Sequence, residues 1–337
     1  HYNTVAPGAG RPRPSVPQSE ESSAPAASLN LNPVCEQLAS ARVWWRTDAL
    51  FAQQTVSAAT LAATEDLFNR VRQEVVLLVS ESASLRELPG LRHLLLTKVE
   101  KVALRVHGVH LTRSTAATGD APSSLPRELL AAAQRRWEYV LPFGVDGRWF
   151  ESADSASASS DAFYNAFDNS VTIMPGMLTG AFAPPFAAAQ RVNELVPTLG
   201  FVLAHELGHA VDTTGTWFNE NGTWSDAHRN EMHFYFHGMR CLIDVFDENG
   251  VDGLKTLNEN FADSVAYQVI GRLMERTNQP PQALLAQAQL WCGDQGPSND
   301  VHAPGSQRVN LGWRIQNRWL QHHFGCHSTG VQECTPL

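Results

Sequence analysis

Apolar positions along this chain fall into blocks of helical period, separated by polar and proline-rich breaks. Leu61, Leu67, Val71, Val75 and Leu78 recur at helical steps, with Leu77 and Val79 widening the stripe, and predict an amphipathic helix. Leu38, Trp45, Ala49 and Ala52 form a shorter stripe before it. Pro89-Gly90 breaks the pattern and Leu91–Val106 resumes it, so residues 33–110 read as helices. Leu125–Val140 predicts a short helix with Pro126 in its first turn. Ala162–Met174 reads as strand about a turn at Asp168-Asn169. Beyond it, Phe201–Asp212, residues 226–246 and a stretch opening at Leu257 read as helices. The pattern is that of a mainly α chain with a small β-sheet, an α+β arrangement. Residues 1–32 are rich in Pro, Ser, Ala and Gly and lack the hydrophobes that offset ordering entropy, which predicts a disordered lead.

Two of these helices carry chemistry. Phe201–Asp212 reads FVLAHELGHAVD, in which His205-Glu206-Leu207-Gly208-His209 has the pattern H-E-x-x-H. Positions i and i+4 share a helix face, so His205 and His209 can bind one metal ion together, and Glu206 points near the same opening. Phe201, Val202, Leu203, Ala204 and Leu207 would bury the rest of the helix. In Leu257-Asn258-Glu259-Asn260-Phe261-Ala262-Asp263, Glu259 and Asp263 are again four apart. Two His and one Glu around zinc, with one position left for water, is a catalytic arrangement rather than a closed structural one. Asp263 suits the role of holding a ligand histidine by its other ring nitrogen, and Asp212 can do the same. The bland reading of Glu259 and Asp263 is a solvated helix face. Their setting among Phe261, Ala262, Val265 and Ala266 speaks against it.

HELGHAVD followed by NENFAD resembles the neprilysin-like zinc metallopeptidases, the neprilysin and endothelin-converting enzyme group. Three further stretches agree in order and spacing: Asp161–Asn165 followed by VTIMPGML, Gln289–Gly293 with its Trp-Cys pair, and Asp300–Val309, which reads DVHAPGSQRV. The resemblance covers Asp161–Leu337, the catalytic half of the family's chain. Residues 33–110 resemble more weakly the segment linking the lid-like lobe back to that half. It implies a thermolysin-like zincin (gluzincin) lobe with a partial helical lobe, hence a lead at 1–32, a helical segment at 33–140 and a catalytic domain at 141–337. It implies one Zn²⁺ per chain on His205, His209 and Glu259, with Glu206 as general base and Asp263 supporting catalysis. His302 would donate to the developing oxyanion, and Arg308 would bind a substrate carbonyl or help orient the site. Asp161 and Ala162 would pair with the extended substrate backbone. The family usually has Asn where Asp161 stands, and an ionised carboxylate accepts but cannot donate.

Cysteine usage adds a partner question. Of five cysteines, the resemblance pairs Cys241 with Cys334. The family counterparts of Cys35, Cys292 and Cys326 bridge to an N-terminal part that this chain does not contain. These three leave at least one thiol over for a disulfide-linked second chain.

A net charge of −9 without a long basic run argues against nucleic acid, and no apolar run is long enough to span a membrane. Asn221-Gly222-Thr223 is a glycosylation sequon that suits a secreted or extracellular protein, or the ectodomain of a membrane-anchored precursor. His107, His110, His228, His233, His237, His322, His323 and His327 read as ordinary surface or core histidines.

The expected function is zinc-dependent endopeptidase action on a peptide or polypeptide. The short chain leaves three arrangements open: an enzyme with an open site, one chain of a split peptidase, or a catalytically weak binding protein on the same scaffold.

Overall fold

A computed structural model describes residues 51–109, 160–178, 192–292, 301–315, 334 and 337. The first long helix, α1 (Ala58–Glu81), starts where the Ser57 side chain accepts the Thr60 amide at 3.0 Å. Its buried stripe is Leu67, Phe68, Val71, Val75, Leu78 and Val79. Ser82 ends it and caps the short α2 (Ala83–Arg86). Pro89 then occupies the first turn of α3 (Pro89–Lys101), where its missing N–H costs nothing. The Leu91 amide of that turn donates to Glu231 at 2.8 Å, so a distant helix satisfies it.

The helical pattern read through Val106 ends five residues early. Ala103–Val106 is a strand, β1, lying parallel to β3 (Ser170–Ile173) with Ala103 opposite Ser170. The Ala103 amide donates to Asn169 O at 3.0 Å and the His107 amide to Ile173 O at 2.9 Å. Pairing with a strand far along the chain overrides local periodicity here. β2 (Ala162–Asn165) runs antiparallel to β3 on its other side, giving the order β1-β3-β2 with β2 at an edge. Asn169 turns the hairpin at φ 50°.

A π-helical turn, Val196–Gly200, leads into α4 (Phe201–His209). Residues 226–246, expected as one helix, divide into α5 (Arg229–Gly238) and α6 (Arg240–Glu248). Gly238 favours the break because glycine gains least from a helical backbone, and Met239 beside it is fully buried. The long α7 (Leu257–Arg276) follows, then α8 (Leu284–Gln289) and α9 (Gly305–Ile315).

The described chain is thus mostly helical with one small sheet. One core joins α1, α3, α4 and α7, with Leu67, Val75, Leu95, Leu203, Leu207, Phe261 and Val265 among its members. α4 lies between α7 on one side and β2 on the other. At its tightest point the two helices meet at Gly208, where a Cβ would lie 2.8 Å from Ala262 Cα. That close approach is why glycine, a poor helix former, stands in the last turn of α4. No described helix is long and apolar enough to cross a membrane. Leu38, Trp45, Ala49, the helix at 125–140 and the domain division at 140 lie outside the described residues.

Candidate metal centre

Because α4 and α7 pack so closely, side chains near their contact converge. His205 and His209 project from α4 with their rings perpendicular and their Nε2 atoms 3.1 Å apart. Glu259, in the first turn of α7, brings Oε2 within 3.1 Å of His205 Nε2 and Oε1 within 3.7 Å of His209 Nε2. Among the described residues this is the one group of three ligand-type side chains with donor atoms within 4.8 Å of one another.

Carboxylates fix the outer nitrogens of both rings. His205 Nδ1 lies 2.9 Å from Asp263 Oδ1, and His209 Nδ1 lies 2.9 Å from Asp212 Oδ2. With each Nδ1–H donating to a carboxylate, the Nε2 lone pairs face each other, an arrangement that repels unless a cation lies between them. Glu259 Oε2 is buried and makes no well-formed hydrogen bond despite the imidazoles beside it. Two convergent imidazole lone pairs and an unbonded buried carboxylate oxygen fit a divalent cation of zinc's ligand preference.

Each supporting carboxylate is anchored in turn. Asp212 Oδ1 accepts the amides of Thr214 and Gly215 at 2.8 and 2.6 Å, which closes the turn after α4. Gly215 has no room for a side chain, since a Cβ would strike the His209 carbonyl. Asp263 is buried and receives both Nε and Nη2 of Arg308 at 2.7 Å. Arg308, a residue only 5% exposed, stacks its guanidinium 3.9 Å over the Trp291 ring. Burial works to raise Asp263, but Arg308 and His205 outweigh it and hold the carboxyl below its ordinary range. The Arg308 fork is thus spent on Asp263.

Glu206 is buried beside the cluster, and burial raises its proton affinity, opposed by the two imidazoles. Asp161, exposed at the head of β2, is close enough to Glu206 to add to that shift. Its own carboxylate accepts the Ala162 amide at 2.9 Å. His302 sits at the mouth with its side chain 41% exposed and Nε2 3.0 Å from Glu259 Oε2.

Elsewhere, Cys241 and Cys334 form a disulfide, and Cys292 is free and exposed. Asn221 is exposed in the Asn219–Gly222 turn. His107 is buried, His228 lies 3.7 Å from Glu231, and His233 and His237 are exposed on α5. Cys35, Cys326, His110, His322, His323 and His327 lie outside the described residues.

The model of peptidase family M13 matches residues 161–332, just over half of the chain. The chain belongs to peptidase family M13. Human neprilysin is 28% identical over 187 residues, covering 46% of this M13 chain and 24% of neprilysin. The cryo-electron microscopy structure of Mycobacterium tuberculosis zinc metalloprotease Zmp1 in its open state shares the fold. Its TM-score is 0.63 at 18% identity, over 90% of this chain and 51% of that one. PepO from Lactobacillus rhamnosis gives 0.62 at 18% identity, over 89% of this chain and 50% of that one. The M13 chain described here therefore spans about half the length of its solved relatives.

Sequence reasoning missed Lys98 and the Trp291–Arg308 stack. Lys98 is fully buried, and its Nζ donates to the Gly215 carbonyl behind the His209 end of α4. The signal was present: Lys98 stands on the same stripe as Leu91, Leu95 and Val102, where a charged residue is out of place.

Proposed function

We propose that this chain is the catalytic lobe of a zinc-dependent endopeptidase that hydrolyses peptide bonds outside the cell. The observation that carries the reading is the convergence of His205, His209 and Glu259 with Glu206 buried beside them. His205, His209 and Glu259 would hold one Zn²⁺, which when bound supplies Lewis acidity toward a carbonyl and toward water.

The remaining roles belong to this chain's own residues. Glu206 takes a proton from the attacking water and delivers it to the leaving amine. Its raised proton affinity favours a residue that must both accept and return a proton near neutral pH. The outer edge of β2 accepts an extended peptide by main-chain hydrogen bonds, with Asp161 and Ala162 nearest the reacting bond. His302, half-exposed at the mouth, turns from Glu259 to donate to the oxyanion. Arg308 keeps Asp263, and through it His205, in place.

An extracellular setting is supported by the Cys241–Cys334 disulfide and by the exposed Asn221 sequon. The exposed thiol of Cys292 favours a covalently attached second chain as an addition to this reading. Hydrolysis of a mixed peptide library by the purified chain, with zinc quantified, tests it. Glu206→Gln is expected to keep one zinc per chain while turnover falls by roughly 10²–10⁴-fold. Near-normal turnover in that variant removes Glu206 from the mechanism.

A further inference from the structure

We infer that Lys98 is a positioning residue of the metal centre, bracing the turn that holds Asp212 against His209 from the side away from the metal. This rests on the zinc-peptidase reading above.

The path is continuous. Lys98 Nζ donates to the carbonyl of Gly215. The amide of the same residue donates to Asp212 Oδ1 at 2.6 Å, with the Thr214 amide alongside at 2.8 Å. Asp212 Oδ2 in turn accepts His209 Nδ1–H at 2.9 Å. One residue, Gly215, thus has Lys98 on its carbonyl and the carboxylate that orients His209 on its amide. Gly215 cannot retreat, because its backbone is pressed against the last turn of α4.

Lys98 is held from a second direction as well. Its own carbonyl accepts Asn169 Nδ2 at 3.0 Å, Asn169 Oδ1 accepts the Tyr164 hydroxyl at 2.8 Å, and the Tyr164 ring lies 5.5 Å from Nζ. Tyr164 belongs to β2, so a single residue of α3 ties the substrate-edge hairpin to the end of the metal helix. A methionine or leucine would fill this stripe position without burying an amine, so the buried amine needs a purpose beyond packing. Burial lowers the Lys98 pKa to about 7, and the Asp212 carboxylate pushes the other way, which places the two groups in each other's field.

The test is zinc affinity by chelator competition, with apo-protein melting recorded separately, for the wild-type full chain, Lys98→Met, Asp212→Asn and the double variant. Methionine keeps the stem and removes the donor. Lys98→Met is expected to weaken zinc about tenfold, the lower end of what outer partners of metal ligands contribute. In the Asp212→Asn background the same change is expected to cost less than about twofold, because its route to His209 is already cut. Unchanged affinity in Lys98→Met overturns the inference, as does an equal loss in both backgrounds, which marks general packing. Should Lys98→Met fail to fold, Lys98→Gln, with a shorter reach and no charge, is measured against the same two outcomes. No zinc binding by the wild type overturns the peptidase reading and this inference with it. Intact wild-type binding with an unaltered variant overturns the inference alone.

Discussion

Lys98 carries an amine into a pocket with no exposed surface, and the acid–base consequence can be read from its two states. Its ordinary pKa is 10.5, and burial lowers it to about 7 in the native chain. Between those values the unfolded chain binds a proton there that the native chain does not. Native stability therefore climbs with pH across that window and is lost again as pH falls through 7. The contribution is on the order of a few kcal/mol. Urea unfolding from pH 6.5 to 10.5 is expected to show this rise in the wild type and a flatter profile in Lys98→Met. Parallel profiles would mean that Lys98 titrates as it does in water. At this scale the histidine pair was legible in the sequence, because helical spacing alone aligns His205 with His209. Asp212 was legible for the same reason, lying one turn from His209; Asp263 was legible by its spacing of four from Glu259, although the ring it holds, His205, lies 58 residues away. Lys98 was not singled out, because its partner Gly215 lies 117 residues away and glycine gives no chemical sign of its role. Arg308 was legible only as a motif residue. Its bidentate hold on Asp263 spans 45 residues, and no local pattern encodes it.

Among the elements, the contact between α4 and α7 decides whether a metal centre exists. In the proposed centre two ligands ride on one helix and the third on the other, so the separation of the helices sets the size of the site. Gly208 and Ala262 are the spacer. Gly208→Ala gains up to about 1 kcal/mol of intrinsic helix propensity. It also puts a methyl 2.8 Å from Ala262 Cα, and overpacking of that kind costs about 1–3 kcal/mol. The net expectation is a modest loss of stability in denaturant together with a clear loss of zinc affinity, as Glu259 is pushed from the imidazoles. Retained zinc affinity would show that the helices yield without moving the ligands. The sequence announced both helices by their periodicity, and their contact by nothing more than a glycine inside H-E-x-x-H. It misled at β1, where Val102–Val106 continues a helical stripe and tertiary pairing with β3 prevails. It misled again at Gly238, where a helix expected to run on divides in two.

For the molecule as a whole, the Cys241–Cys334 disulfide spans 93 residues and joins α6 to the far end of the described chain. A crosslink closing a loop of this length removes much conformational freedom from the unfolded state. Cys334→Ser is expected to lower unfolding free energy by about 2–4 kcal/mol, measured in urea under non-reducing conditions. A smaller change would mean that the unfolded chain is already compact around that pairing. The same bond has a consequence for chain integrity. It makes a covalent ring that carries Glu259, Asp263, Trp291 and Arg308, while His205, Glu206 and His209 sit on the linear chain that enters it. A single backbone cut anywhere inside the ring leaves one covalent molecule with every one of these residues still attached. A cut between His209 and Cys241 instead severs the histidines from the ring, and only non-covalent packing then keeps them with Glu259. For the peptidase proposed above, the stretch whose cleavage would scatter the site is therefore the short path from α4 to α6 rather than any segment inside the ring.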